Sequence, residues 1–511
     1  MARYKEYSYD QGKLIPIDFK EQILPGTFEY ALNHIIDHEL DLSIFEPRYQ
    51  NDETGAPAYD PAILLKIILY AYSRGITSSR KIEQCCRNNV IFMALSADTQ
   101  PHFTTMADFI SSMEKEITAL FRNVLLICDE AGLIGKEMFA VDGCKLSSNA
   151  SKEWSGTKED FIKKKEKIEK GIDYIMKKHR TEDKKESSAV SMKEEEERHV
   201  SNLRLKAQKI KRWLDEHEDK IGKSGNFKKS NITDNESAKM ATSHGVIQGY
   251  DGVVASDAKH QIIVHAEAFG EAQEHDLLKP MVQGMRENFK VIGKESNILE
   301  KAALTADSGF HTEANMKMLD EEKIDGYMAD NRFRKRDPRF ATTGRHKIKK
   351  RASTRKYFAP SDFKYDETRG RVLCPAGNEL YLKNSNFWVR GLKGISYMAK
   401  ITDCRTCGLR SRCLRNPTTK ARQVTFFTER IVEKKKETFT QKMVQKIDSA
   451  KGRFLYSKRM GIVEPVFANI RSTLGLSRLT LRGKIKVNTQ WLLFCLVHNL
   501  GKIYRYGPQR A

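Results

Sequence analysis

Apolar residues along the chain follow one period and then another, and the changes mark its elements. Asp60-Pro61 offers a helix N-cap with proline at the first helical position. Ile63, Leu64, Ile67, Ile68 and Ala71 then recur at helical spacing until Gly75 stops the run. A second helix is expected from Ser79, carrying Ile82, Cys86, Val90 and Ile91. A third starts near Thr105 and carries Phe109, Ile110, Met113, Ile117, Leu120 and Phe121. Residues 1–131 therefore read as a helical N-terminal domain. Met138-Phe139-Ala140-Val141 has the unbroken apolar pattern of a buried strand. From Lys158 to about Lys229 the chain is dominated by Lys and Glu. Val200, Leu203, Ala207, Ile210 and Leu214 alternate steps of three and four, and Ile168, Ile172 and Ile175 form a shorter stripe. These stripes predict a helical hairpin inserted at about 150–243, with a polar tip between Thr181 and Arg198.

Strands resume beyond it. Residues 245–255 and 261–269 are apolar runs joined by Asp257-Ala258-Lys259, which predicts a hairpin. A helix follows from about His275 through Leu277, Leu278, Met281 and Met285. Then come a strand ending at Asp307, a helix around Glu313 to Leu319, and a strand over Gly326 to Ala329. A meander followed by strands alternating with helices implies an α/β fold, a mixed sheet covered by helices. Residues 132–511 read as this second domain. It is interrupted again at about 332–450 by a basic, cysteine-containing segment, and helices return from Pro465 to Leu500.

Charge narrows the partner. The 511 residues include 89 Lys and Arg against 67 Asp and Glu, a formal net charge of +22, with a pI of ≈ 9.4. An excess of that size favours a polyanion. The three N-terminal helices then suit a helix-turn-helix DNA reader, and equally a plain helical domain for packing or dimerisation. The N-terminus has no apolar signal region, and the apolar stretch Trp491–Val497 is too short to cross a bilayer. Nine cysteines without an export signal suggest reduced thiols and a cytoplasmic setting.

Three carboxylates stand out. Asp142 ends the run from Met138 and is followed by Gly143. Asp307 ends Ala302-Ala303-Leu304-Thr305-Ala306 and is followed by Ser308-Gly309. Glu464 lies in Gly461-Ile462-Val463-Glu464-Pro465-Val466-Phe467. A carboxylate just past a buried strand, with a small residue behind it, leaves room for an ion and a phosphate. Three such groups brought together suit two hard divalent cations, Mg²⁺ or Mn²⁺, that activate the attacking oxygen and stabilise the leaving one. Glu464 before Pro465 is expected at the N-cap of a helix running to about Leu474 and closed by Gly475. Arg471 would then reach DNA phosphate. Asp251, Asp257 and Asp330 read as turn residues. His244, His265 and His275 read as ordinary polar positions.

The blocks Phe139-Ala-Val-Asp-Gly143, Thr305-Ala-Asp-Ser-Gly-Phe310 and Val463-Glu-Pro-Val-Phe467 resemble, in order, those of bacterial insertion-sequence transposases of the DDE type. Tyr59-Asp-Pro-Ala-Ile-Leu-Leu-Lys66 resembles the N-terminal helical domain of the same group. The resemblance implies an RNase H-like catalytic core, with Asp142, Asp307 and Glu464 as catalytic metal ligands for two ions. It also implies double-stranded DNA, as element ends and target, and a homo-oligomer in the synaptic complex at the nucleoid. The implied reaction is end cleavage and strand transfer. A nuclease with the same core, or an inactive or domesticated DNA-binding descendant, stays open beside it. A related branch of the family spaces Tyr, Arg, Glu and Lys as Y-x2-R-x3-E-x6-K. Tyr456 and Arg459 keep the first spacing, Arg459 to Glu464 is one residue too long, and Arg471 stands where the lysine would be.

Two features lie in the second interruption. Cys374, Cys404, Cys407 and Cys413 fit a tetrahedral structural zinc site, and equally fit reduced thiols packed in a small insert. From Arg332 to Lys356 there are twelve Lys or Arg and one acid, Asp337. Phosphate contact is the expected role of this strip. Each neutralised phosphate contributes about 0.9 to the slope of log affinity against log salt, so replacing Lys347, Lys349, Lys350 and Arg351 with Gln should flatten that slope by up to roughly four such increments. Equilibrium binding measured across a salt series checks this, and an unchanged slope marks the strip as a solvated loop.

Overall fold

The computed structural model describes residues 16–49, 57–183, 194–222, 225–243, 245–294, 297–340, 357–366, 371–389, 392–430 and 437–508. The chain divides into two compact units. One holds Met1–Phe333 with Phe439–Ala511, and the other holds Arg334–Thr438. The expected phosphate contacts Lys347, Lys349, Lys350 and Arg351 lie outside the described residues, as do His244 and the tip of the predicted hairpin.

In the first unit, α1 (Pro61–Ser73) begins as its sequence dictates. The Asp60 carboxylate accepts from Ala62 N at 2.8 Å, and Pro61 takes the first helical position, where its missing N–H costs nothing. α2 (Ser79–Asn88), α3 (Phe103–Ser112) and α4 (Glu114–Glu130) follow. After β1 (Met138–Ser147), α5 (Lys158–Asp183) and α6 (Glu194–Glu216) form the inserted hairpin. Its base is a small core of Phe161, Ile210, Trp213 and Ile232, with the Phe161 and Trp213 rings edge to face at 4.7 Å. Then come β2 (Ala238–Thr242), β3 (Gly245–Asp257), β4 (Ile263–Phe269), α7 (Leu278–Val291), β5 (Ala303–Ala306), α8 (Glu313–Glu321) and β6 (Asp325–Met328).

These strands make one mixed sheet in the order β6-β5-β1-β3-β2, with β4 also on β3. β1 runs antiparallel to β3 and parallel to β5, and β6 is parallel to β5. On the side away from β1, β3 is long enough to serve two more antiparallel partners, its first half pairing with β2 and its second with β4. Gly249 in β3 allows a close approach, because a Cβ there would stand 2.0 Å from the Leu146 carbonyl oxygen. The Gly-flanked stretch around Asp251 is therefore strand interior. The expectation that Asp251 is a turn residue is overturned, for it pairs with Lys145 and is fully buried. Asp257 does act in a turn, its carboxylate accepting from the backbone N–H groups of Gly135, Lys136 and Lys259.

In the second unit, β7 (Lys364–Asp366), β8 (Arg371–Leu373), β9 (Glu379–Val389), β10 (Leu392–Ala399) and β11 (Gln423–Arg430) form an antiparallel sheet in sequence order. Its core is Phe363, Val372, Leu380, Tyr397, Ala399 and Val424.

The chain returns to the first unit with α9 (Phe439–Asp448), α10 (Ala450–Ala468) and α11 (Lys484–Tyr506). α10 corrects one expectation. Glu464 is not an N-cap, because α10 runs through both Glu464 and Pro465. Pro465 forfeits one helical hydrogen bond, yet burial of Ile462, Val463 and Val466 holds the helix together. The chain relaxes just afterwards in a π-helical turn, Asn469–Thr473, and ends at Gly475 with φ +70°. α11 is buried on every side from Trp491 to Leu500, as a helix at the centre of a core must be. It joins the N-terminal helices to the sheet. Phe494 stacks on Tyr72 of α1 at 4.7 Å, Trp491 Nε1 donates to Val253 O, and the Asn499 amide bonds both the N–H and the C=O of Ile263.

His498 of α11 is 1% exposed, with Nε2 2.9 Å from Gln261 O and Nδ1 2.9 Å from the Asn469 amide nitrogen. Burial pushes its pKa down to about 4. The unfolded chain therefore binds a proton that the fold refuses, so this stability is complete above the ordinary histidine range and is lost as pH falls towards 4. Between pH 7 and pH 5 the loss from this one group should be roughly 2 kcal/mol. Denaturant unfolding at both pH values should show the loss shrinking by about that amount in His498→Gln, and an equal loss in both proteins would contradict the assignment.

Candidate active site

The parallel register of β1 and β5 pairs Val141 with Ala306, so the next residues, Asp142 and Asp307, stand side by side. Asp307 directly follows β5, as the sequence suggests, but Asp142 does not end its strand, because β1 continues through it to Ser147 along β3. Each carboxylate is anchored by the backbone that follows it. Asp142 Oδ1 accepts from Gly143 N at 2.9 Å, and Asp307 Oδ1 accepts from Gly309 N at 2.7 Å while capping a short 3₁₀ turn. α10 lies against this site, its Ile462 and Val463 packed on Met138 and Ala140 of β1. One turn earlier, Arg459 Nη1 meets Asp142 Oδ2 at 2.5 Å. The Arg459 guanidinium carbon is 5.9 Å from the centre of the Tyr456 ring, and that ring meets Phe333 edge to face at 5.2 Å. Burial raises the Asp142 pKa above the usual carboxylate range, Arg459 opposes the rise, and Asp307 adds to it by repulsion. Burial also raises the Tyr456 hydroxyl.

Two more carboxyl groups join this pair. Asp251 of β3 is fully buried, and its Oδ1 would lie 2.6 Å from a Cβ placed on Gly143. Glu274, in the loop between β4 and α7, is half-buried, and its Oε2 would lie 2.2 Å from a Cβ on Gly309, where Asp307 Oδ1 would be 2.9 Å away. Burial first, and then the neighbouring carboxylates, push Asp251 up to about 7 and Glu274 up to about 9; Lys145 partly offsets the rise at Asp251. The glycines after Asp142 and Asp307 thus make room for a second carboxyl beside each. That spacing was the one signal in the sequence that could have found Asp251 and Glu274.

Glu464 sits five residues beyond Arg459, which at about 100° per residue turns it roughly 140° around the helix. It is exposed, and among the described residues it makes no hydrogen bond or ion pair with Asp142 or Asp307. Arg471 is exposed on the π turn. Among the described residues, no three His, Cys, Asp or Glu side chains already stand in a metal-holding group. The oxygen-only character of the Asp142 and Asp307 pair nonetheless suits a hard divalent ion.

In the second unit, Cys374, Cys404, Cys407 and Cys413 line one small cavity of ≈ 30 Å³ and none is in a disulfide. Cys374 opens a tight turn in which Gly377 N bonds its carbonyl and Asn378 N bonds its Sγ. Burial raises the Cys413 thiol, and the other three sulfurs add to the rise. From the described start of the basic strip, Arg339 pairs with Asp337 at 2.7 Å.

Two family models match the chain. Residues 373–504 match "Transposase DDE domain", and residues 17–112 match "Transposase domain (DUF772)". Both are transposase families. The matches are consistent with a DDE-type insertion-sequence transposase, the group that the sequence blocks resemble. The first match takes in the four cysteines, α10 with Arg459 and Glu464, and α11. The second takes in α1, α2 and α3. No curated protein matches the chain. No helix among the described residues is long and apolar enough to cross a membrane.

Proposed function

We propose that this protein is a transposase that cuts the ends of an insertion sequence and joins them to target DNA, using a divalent-metal site built on Asp142 and Asp307. The observation that carries the reading is the register of β1 and β5, which brings together two acids 165 residues apart (307 − 142 = 165) on adjacent strands of a mixed sheet. The strand order, three antiparallel strands followed by two parallel ones with a helix laid across the acidic edge, supports an RNase H-like core. The net charge of +22 supports double-stranded DNA as substrate. The helices in 1–131 are the candidate reader of element ends, and 132–511 the catalytic part.

Bound Mg²⁺ or Mn²⁺ would supply activation of the attacking oxygen and stabilisation of the leaving one. Asp142 and Asp307 would hold it, with Glu464 brought in from α10 as the third acid. Arg459 orients Asp142 and offsets part of the cost of its burial. Arg471, exposed beyond Glu464, would contact backbone phosphate. The chemistry is hydrolysis at the element end, then attack of the freed 3′-hydroxyl on a target phosphodiester, with the target's own 3′ oxygen leaving. Cys374, Cys404, Cys407 and Cys413 converge on a cavity that suits a structural zinc ion.

The test is cleavage and strand transfer by the full chain with Mg²⁺ and labelled element ends. Asp142→Asn and Asp307→Asn should each lose at least about a thousandfold in cleavage rate, of order 4 kcal/mol of barrier, while binding end DNA as tightly as the parent. Cleavage without joining would mark a nuclease, and end binding without cleavage a domesticated DNA-binding protein. Zinc measured in protein purified without chelator should be one per chain and fall in Cys407→Ser; its absence would leave the thiols as packing.

A further inference from the structure

We infer that Asp251 and Glu274 belong to the same cation site as Asp142 and Asp307, making a four-carboxylate centre for hard divalent ions. The inference rests on Asp142 and Asp307 being metal ligands, as proposed above. It adds two residues that neither the family blocks nor the strand-end pattern includes.

The geometry comes first. Four acids from four separate segments meet where β5 stops beside the longer β1: from within β1, from within β3, from the loop before α7, and from just past β5. Asp251 points over Gly143, directly beside Asp142, and Glu274 points over Gly309, directly against Asp307. A methyl group on either glycine would collide with these carboxyl oxygens, so the Asp-Gly and Asp-Ser-Gly sequences are fitted to the second pair of acids as well as to the first.

An independent observation points to a missing ligand. Asp251 is fully buried, and neither of its carboxylate oxygens meets an N–H or hydroxyl donor among the described residues; the one group in hydrogen-bonding reach is another acid, Glu274. Buried carboxylates are normally paired or hydrogen-bonded, because desolvation penalises an unpaired charge heavily. The nearby cations are too few for four acids: Arg459 is engaged with Asp142, and Lys145, across the strand pair from Asp251, is directed at the Ala241 carbonyl. A divalent ion answers both shortfalls, offering charge to the cluster and coordination to the orphaned oxygens. Oxygen donors alone select Mg²⁺ or Mn²⁺ over zinc or copper. Since no three of these groups yet form a metal-holding set, ion entry must draw the carboxyl groups inward, and Asp142 must share its oxygen with the ion as well as with Arg459.

The test uses Mn²⁺ alone with the full chain, read by the paramagnetic signal of the free ion and by the thermal shift on metal addition. Asp251→Asn and Glu274→Gln keep the side-chain shapes, and each should weaken Mn²⁺ binding by about tenfold or more and shrink the thermal shift. Metal-free Tm should not fall in either variant, because each change removes one like charge from the cluster. Gly143→Ala, which leaves all four acids in place but displaces Asp251, should weaken Mn²⁺ as well. Parent-like Mn²⁺ affinity in both acid variants would overturn the inference and leave Asp251 and Glu274 as a proton-sharing pair of the core. So would a parent protein that binds no Mn²⁺. Cleavage is scored separately. A parent that cleaves element ends while the variants bind Mn²⁺ normally refutes only this inference. A parent whose Mn²⁺ binding needs Asp251 and Glu274 but which never cleaves refutes only the transposase chemistry.

Discussion

The structure turns on the parallel pairing of β1 with β5, which forces Asp142, within β1, and Asp307, just past β5, to stand next to each other. Two carboxylates so placed repel, and their partial burial weakens the screening that water gives. Three neighbouring groups offset part of that repulsion, while Asp251 and Glu274 add to it. The N–H groups of Gly143 and Gly309 donate to the two acids, and α10 delivers Arg459 to Asp142. The apolar side of α10, packed on Met138 and Ala140, keeps the guanidinium in place. Arg459 is a positioning residue in this arrangement, holding Asp142 without needing to touch DNA.

The rest of the first unit serves the rigidity of that site. α11 is buried throughout its central turns, ties the strand pair β3–β4 through Trp491 and Asn499, and carries the N-terminal helices on Phe494. The helices proposed to read element ends are therefore fastened to the sheet that carries the acids. Burial of a long apolar helix between the two layers is large enough to fix ligand positions that a loop could not. The inserted hairpin has its own small core of Phe161, Ile210, Trp213 and Ile232, so it interrupts the chain after β1 without disturbing the sheet.

Much of this was legible in the sequence, for identifiable reasons. The cap at Asp60-Pro61, the stripes of the hairpin and the apolar runs ending in Asp142 and Asp307 are local signals, and local signals survive folding when tertiary contacts agree with them. Three features failed that condition. Asp251 lies between Gly249 and Gly252, which look like turn residues but are there for close backbone and Trp491 contact inside a strand. Glu274 sits in a loop with no period to betray it, and only the glycine at Gly309 hints at a neighbour. Glu464-Pro465 has the local form of a helix start, yet the packing of Ile462, Val463 and Val466 carries the helix straight through it. The local rule gives a preference of a few kcal/mol at most, and burial of several apolar side chains exceeds it.

The central claim is that Asp142 and Asp307 together hold divalent metal. Anomalous diffraction from crystals of the full chain grown with Mn²⁺ tests it most directly. The account predicts a manganese peak within about 2.2 Å of carboxylate oxygens from both residues, the distance expected for a hard six-coordinate ion of this kind. Manganese bound only elsewhere on the chain, with Asp142 still held by Arg459 and the Gly143 N–H, would contradict it.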